Sequence, residues 1–260
     1  MPTGQDIPDV AVKRKMMRAV AAAAAACALV LAAGLAVHAS NLAKVDAETL
    51  SAQSASEAPA SSADSGKTSD KRLVVPALTS FLGSDQDAVV EALGEGATLV
   101  SSRSVDSSGS AVRTVSSIAL TNESADSSAG TPTVTLALDE EGAVIQAGYT
   151  ANIRLLGYGS VSFIDAAENM HVIENTLREG GLDVPDGSVE VPEAKADYAV
   201  YGADGITLAK EQYAFSGTVS QGGASYGWRG ELSYDYTQAN AQGNLAYTVR
   251  LVTVTVIAAR

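Results

Sequence analysis

Cysteine is almost absent from these 260 residues, and its single copy, Cys27, lies inside an apolar run. The remainder of the chain therefore holds no disulfide, no cysteine-based zinc site and no thiol nucleophile. Histidine is nearly as scarce: beyond residue 39 only His171 remains, which leaves little for imidazole acid–base chemistry. Clustered basic residues are missing too. Four of the 17 lysines and arginines precede the apolar run, and the part after it carries 13 basic against 28 acidic residues, a net of −15. A phosphate backbone needs clustered Lys and Arg, so nucleic acid is excluded as a partner, and flat association with anionic lipid headgroups is disfavoured.

What the chain does have is Ala19 to Val37, AVAAAAAACALVLAAGLAV, uncharged and preceded by Lys13, Arg14, Lys15 and Arg18. About 20 apolar residues at about 1.5 Å each cross the roughly 30 Å hydrocarbon core of a bilayer, and the basic cluster stays on the cytoplasmic side. This predicts a cytoplasmic basic tail over 1–18, a transmembrane anchor over 19–39 and everything later outside, a cell-membrane protein with a single pass. The competing reading is a signal peptide cut at Val37-His38-Ala39, against which the length of the run argues. Acylation at Cys27 is disfavoured because Ala28-Leu29-Val30-Leu31 continue the apolar run where a polar tether belongs.

Residues 40–72, including SAQSASEAPASSADSGKTSD, hold almost no large apolar side chain and cannot bury enough surface to offset chain entropy. They read as a flexible Ser/Ala/Asp stalk. Folded sequence resumes near Leu73, and the fold class expected from there is α+β, in two similar halves, 73–159 and 160–260, each a helix followed by an antiparallel meander.

In the first half, Ser84-Asp85-Gln86-Asp87 supplies a helix start, Val89, Val90 and Leu93 an apolar face, and Gly94 or Gly96 a stop. Strand-like runs follow at Ala97–Val105, Ala111–Leu120, Thr131–Leu138 and Ala143–Tyr149, the last two joined by Asp139-Glu140-Glu141-Gly142. In the second half, Phe163, Ala167, Met170, Ile173 and Leu177 recur at spacings of three and four, which predicts one helix ended by Gly180-Gly181. Asp204-Gly205 marks a hairpin turn. From Trp228 to Thr237, Trp228, Leu232, Tyr234 and Tyr236 alternate with Arg229, Glu231, Ser233 and Asp235, and Tyr247–Ile257 has the composition of a central strand.

Catalytic motifs are wanting. Gly223-Ala224-Ser225-Tyr226-Gly227 matches the nucleophile elbow in letters, yet an alternating strand follows it and no histidine lies downstream, so it reads as a hairpin loop. Glu168, His171 and Glu174 share a helical stripe but offer one nitrogen and two carboxylates, and a solvated helix face is the stronger reading than a metal site. Asp139-Glu140-Glu141 lacks calcium-loop spacing. No enzyme activity and no cofactor are expected. All nine tyrosines and the only tryptophan lie after residue 148, and Tyr226, Trp228, Tyr234 and Tyr236 are either core or a candidate binding patch.

The alanine-rich segment behind Lys13-Arg14-Lys15, the Ser/Ala/Asp stalk, and the stretches FLGSDQDAVVEALGEGA and LSYDYTQANAQGNLAYTVR together resemble uncharacterised single-pass cell-envelope proteins of high-GC Gram-positive bacteria. The resemblance implies a location and no activity. The helix-plus-meander halves are also similar in outline to duplicated beta-lactamase-inhibitor-like modules. Two functions fit this reading. One is a non-enzymatic module that binds another envelope component. The other is a signalling accessory whose membrane helix, with Gly34 and its alanines permitting close packing, contacts a sensor kinase.

Overall fold

Alternation of apolar and polar side chains is the pattern that organises this protein, and in the computed structural model it produces one eight-stranded antiparallel sheet. The structure describes residues 73–107, 109–121, 131–237 and 248–258. The basic tail, the apolar segment 19–39, Cys27 and the stalk 40–72 lie outside them. Among the described residues no helix is long and apolar enough to cross a membrane.

The chain opens with two short helices, α1 (Leu78–Phe81) and α2 (Gln86–Leu93). Asp85 caps α2, its side chain accepting the Ala88 N–H at 2.8 Å, and Gly94 at φ 76° ends it. Four strands follow in a meander: β1 (Ala97–Ser104), β2 (Thr114–Leu120), β3 (Thr133–Leu138) and β4 (Val144–Asn152). A π-helical turn (Asp165–Asn169) and α3 (Val172–Glu179) come next, and a second meander completes the fold: β5 (Ala199–Tyr201), β6 (Leu208–Gln221), β7 (Ala224–Asp235) and β8 (Val249–Ala258).

The sheet order is β1-β2-β3-β4-β8-β7-β6-β5. The architecture is thus α+β as expected, but the two meanders do not form separate sheets. They are fused where β4 pairs with β8 over seven residue pairs, from Gln146 with Ile257 to Asn152 with Leu251. Ala147, Tyr149 and Ala151 of β4 and Val252, Val254 and Val256 of β8 line one face of that seam and are all buried. The main core lies on this face, under the helices. Gly230 of β7, for example, lies directly beneath Ile173 of α3.

The helix predicted from Phe163 to Leu177 is not continuous. Ser162 caps the turn at Asp165, Met170 N–H bonds to Asp165 O across the wide turn, and His171 then takes a left-handed conformation at φ 48°. The extra residue of a π turn rotates every later side chain, so Met170 is 42% exposed while Val172 and Ile173 are buried. The predicted stripe is corrected with it. Glu174 is fully buried rather than solvated, its Oε1 accepting the Val189 N–H, and Glu168 Oε1 accepts the Val191 N–H. These carboxylates pin the segment after α3 to the helix. Among the described residues no group of three or more His, Cys, Asp or Glu side chains is placed to hold a metal ion.

Candidate functional site

Period-two alternation gives a sheet two faces, and among the described residues the helices pack on one of them. The registers assign the other face row by row. Its central row runs Ser117, Thr135, Gly148, Thr255, Arg229, Ser216 across six strands. Beside it runs Ala119, Thr133, Thr150, Thr253, Glu231, Ala214, in which the Thr150 and Thr253 hydroxyls bond to each other at 3.0 Å. On the other side lie Val115, Ala137, Gln146, Ile257, Gly227 and Thr218, and there Val105 and Val112 of the β1–β2 connection fold over Val115 and Ala137 as a small apolar cap.

The face is polar, yet much of it is poorly exposed. Gln146 is 6% exposed, Thr255 4% and Glu231 6%, although no described helix packs on them. Two polar atoms are enclosed there without a partner among the described residues, Gln146 Oε1 and Arg229 Nε. A buried donor or acceptor left unpaired costs about 1–3 kcal/mol, so a protein keeps one where something else completes it. Glu231 is held differently. Gln212 Nε2 donates to its carboxylate, but burial outweighs that bond and nearby Arg229 and Lys210, and its pKa is raised.

The aromatic residues singled out from the sequence are on the opposite side. Trp228 is 4% exposed and Tyr234 is not exposed at all, while Tyr226 and Tyr236 are half-buried against the same core. Phe163 stacks on Tyr198 at 5.4 Å and meets Tyr234 edge-on at 5.6 Å. The Tyr234 hydroxyl donates to Val161 O, and the Tyr236 hydroxyl donates to Glu211 Oε2. Burial raises the pKa of both phenols. These four residues are placed as core and core margin, not as an open patch. What the alternation did mark is the complementary set, Arg229, Glu231, Ser233 and Asp235, which faces away from the helices.

Of the Gly223–Gly227 stretch read as a hairpin loop, only Gly223 lies in the turn, with Gly222, both at positive φ; Ser225 is the second residue of β7, exposed and paired with Ser220. A cavity of about 290 Å³ lies between α1, α2 and the start of β1, lined by Val74, Phe81, Leu93 and Leu120 among others, with Glu95 its one ionisable side chain. It offers apolar contact and no acid–base pair. This face offers hydroxyls, the amides of Gln146 and Gln212, the carboxylates of Glu231 and Asp235, and the cations of Arg103, Lys210 and Arg229, a set suited to hydrogen bonding and ion pairing. No protein-family model, curated protein or solved structure matches this chain.

Proposed function

We propose that this chain is a membrane-anchored extracytoplasmic binding module of the cell envelope, without catalysis, and that the helix-free face of its sheet binds another envelope protein. The anchor and orientation rest on the uncharged Ala19–Val37 run behind Lys13, Arg14, Lys15 and Arg18. The observation that carries the binding surface is the enclosed, unpartnered pair Gln146 Oε1 and Arg229 Nε on a face that no described helix covers. The repeated order of helical turns followed by a four-strand meander, with β4 and β8 adjacent, supports descent from a duplicated half.

Two measurements on cells making the full chain test this. Protease shaving leaves a membrane-bound piece that begins at Met1 and retains the apolar run; a mature chain beginning at Ser40 in the medium overturns the anchor. A photocrosslinking residue in place of exposed Ser216 on the open face yields a defined adduct, and one in place of Glu190, exposed and outside the sheet, does not. Equal labelling from both positions, or none from Ser216, overturns the assignment of the face.

A further inference from the structure

We infer that the free edge of β6, Tyr213 to Gln221, is a self-association surface that takes the same edge of a second copy of this chain, antiparallel about a two-fold axis at Gly217. The inference concerns the rim of the sheet and does not rest on the reading of its helix-free face. β7 holds β6 on one side from Lys210, paired with Asp235, to Gln221, paired with Ala224, without a register shift. β5 covers the other side only as far as Ala199 with Glu211, followed by one bond from Gln212 N–H to Tyr198 O. Beyond that point no strand among the described residues pairs with this side of β6. Ladder bonds alternate sides along a strand, and Gln212 bonds toward β5, so the N–H and C=O groups of Ala214, Ser216, Thr218 and Ser220 point out from the rim. Ser216, Thr218 and Ser220 are exposed.

An unpaired edge is ordinarily blunted by a charge, a proline, a bulge or its own shortness. The far edge of the sheet has two of these devices, since β1 shifts register between Leu99 and Ser101 and carries Arg103. β5 has a third, being three residues long. The stretch YAFSGTVSQ has none. It is unbulged, uncharged and free of proline over about 30 Å, at about 3.4 Å per residue. In a chain of net charge −13, a like-charged copy is repelled least where carboxylates are absent, as they are from this stretch.

The stretch also fits itself. Antiparallel pairing about Gly217 sets Ala214 opposite Ser220 and Ser216 opposite Thr218, so the residues with outward backbone groups meet one another as hydrogen-bonded pairs. On the helix side it sets Phe215 opposite Val219, an aromatic ring against a β-branched side chain, and on the other side it sets hydroxyl against hydroxyl. Gly217 meets Gly217 on the axis in a non-hydrogen-bonded pair, where Cα atoms approach to about 4.5 Å. The Trp228 ring of the same protomer stands 2.7 Å from where a Gly217 Cβ would be, so the ring takes the place of a side chain there. Centring the pair on Ser216 or Thr218 instead shortens the paired stretch by two residues and separates Phe215 from Val219. The contact is isologous, each copy giving and receiving the same residues, so it closes at two copies.

The test is sedimentation equilibrium of the full-length chain in density-matched micelles. The expected result is the mass of two chains of 26.4 kDa each. The double variant S216K/T218K faces lysine with lysine at two symmetric positions and is expected to weaken the dimer by at least about tenfold. S216E/T218K sets glutamate opposite lysine in the same register and is expected to restore it. All these side chains start from exposed positions and leave the β6–β7 ladder alone, which unchanged Trp228 emission checks. A parent chain of single mass at every concentration overturns the inference. So does a lysine variant that sediments as the parent does, since self-association then lies elsewhere, for instance in the Ala19–Val37 run. If the lysine pair separates the copies and the glutamate–lysine pair does not rejoin them, the two-fold axis at Gly217 is wrong. None of these readings involves an envelope partner, so they stand or fall apart from the photocrosslinking that tests the helix-free face.

Discussion

A Cβ added to Gly230 would lie 2.3 Å from Ile173 Cγ2, well inside contact distance, and Ile173 is fully buried in α3 with nowhere to retreat. Overpacking of this kind forces backbone shifts that cost about 1–3 kcal/mol. Gly230→Ala is therefore expected to lower stability by about 2 kcal/mol, measured by denaturant unfolding with Trp228 fluorescence as the probe; an unchanged midpoint would show that α3 does not press on β7 as described. Gly217 is similar, with the Trp228 ring 2.7 Å from where its Cβ would be. Neither requirement was legible in the sequence. Alternation identified Trp228, Leu232 and Tyr234 as inward because they have side chains to classify, whereas Gly230 belongs to the same series by having none. The buried carboxylate of Glu174 was hidden for the opposite reason, since its partner is the backbone N–H of Val189, fifteen residues away, and backbone partners carry no signature in residue type.

Elements fared better where local chemistry fixes them and worse where a neighbour decides. The turn at Asp139–Gly142, the central strand β8 and the hairpin at Asp204-Gly205 were all readable, because turn residues and alternation act over a few positions. The break at His171 was not, since the spacing of Phe163, Ala167, Met170, Ile173 and Leu177 satisfies a continuous helix, and the wide turn shows only in the bond from Met170 N–H to Asp165 O. The Asp204 hairpin makes a pH prediction. Its carboxylate accepts from the Thr207 hydroxyl and from the Ile206 and Thr207 N–H groups, and these bonds lower its pKa to about 2. A carboxylate with a depressed folded pKa contributes its stabilisation above its unfolded value, near about 3.9, and loses it as pH falls through the folded one. The Ile206 and Thr207 amide resonances should hold steady down to about pH 4 and shift with a midpoint near 2. A midpoint near 4 would mean that the three bonds do not form in solution.

Across the whole molecule, the seam between β4 and β8 sets how the protein comes apart. Fourteen residues pair there, and the inward members on both strands, among them Tyr149 opposite Val254, belong to a single apolar cluster that also contains Leu78 of α1 and Ile173 of α3. The first meander cannot lose its pairing with β8 without exposing Ala147, Tyr149 and Ala151, and the second cannot part from β4 without exposing Val252, Val254 and Val256. Each loss far exceeds what one half could retain, so the two meanders unfold together. Val254→Ala, at the centre of the seam, removes two buried methyl groups at a cost of about 2 kcal/mol, which for a folded region of this size lowers the thermal midpoint by roughly 4–8 °C. The same displaced midpoint should be read by Trp228 fluorescence in β7 and by the amide resonance of Leu136 in β3. Two separate transitions, with Leu136 keeping the parent midpoint while Trp228 moves, would show that the halves are independent and that the open face spans two bodies rather than one continuous surface.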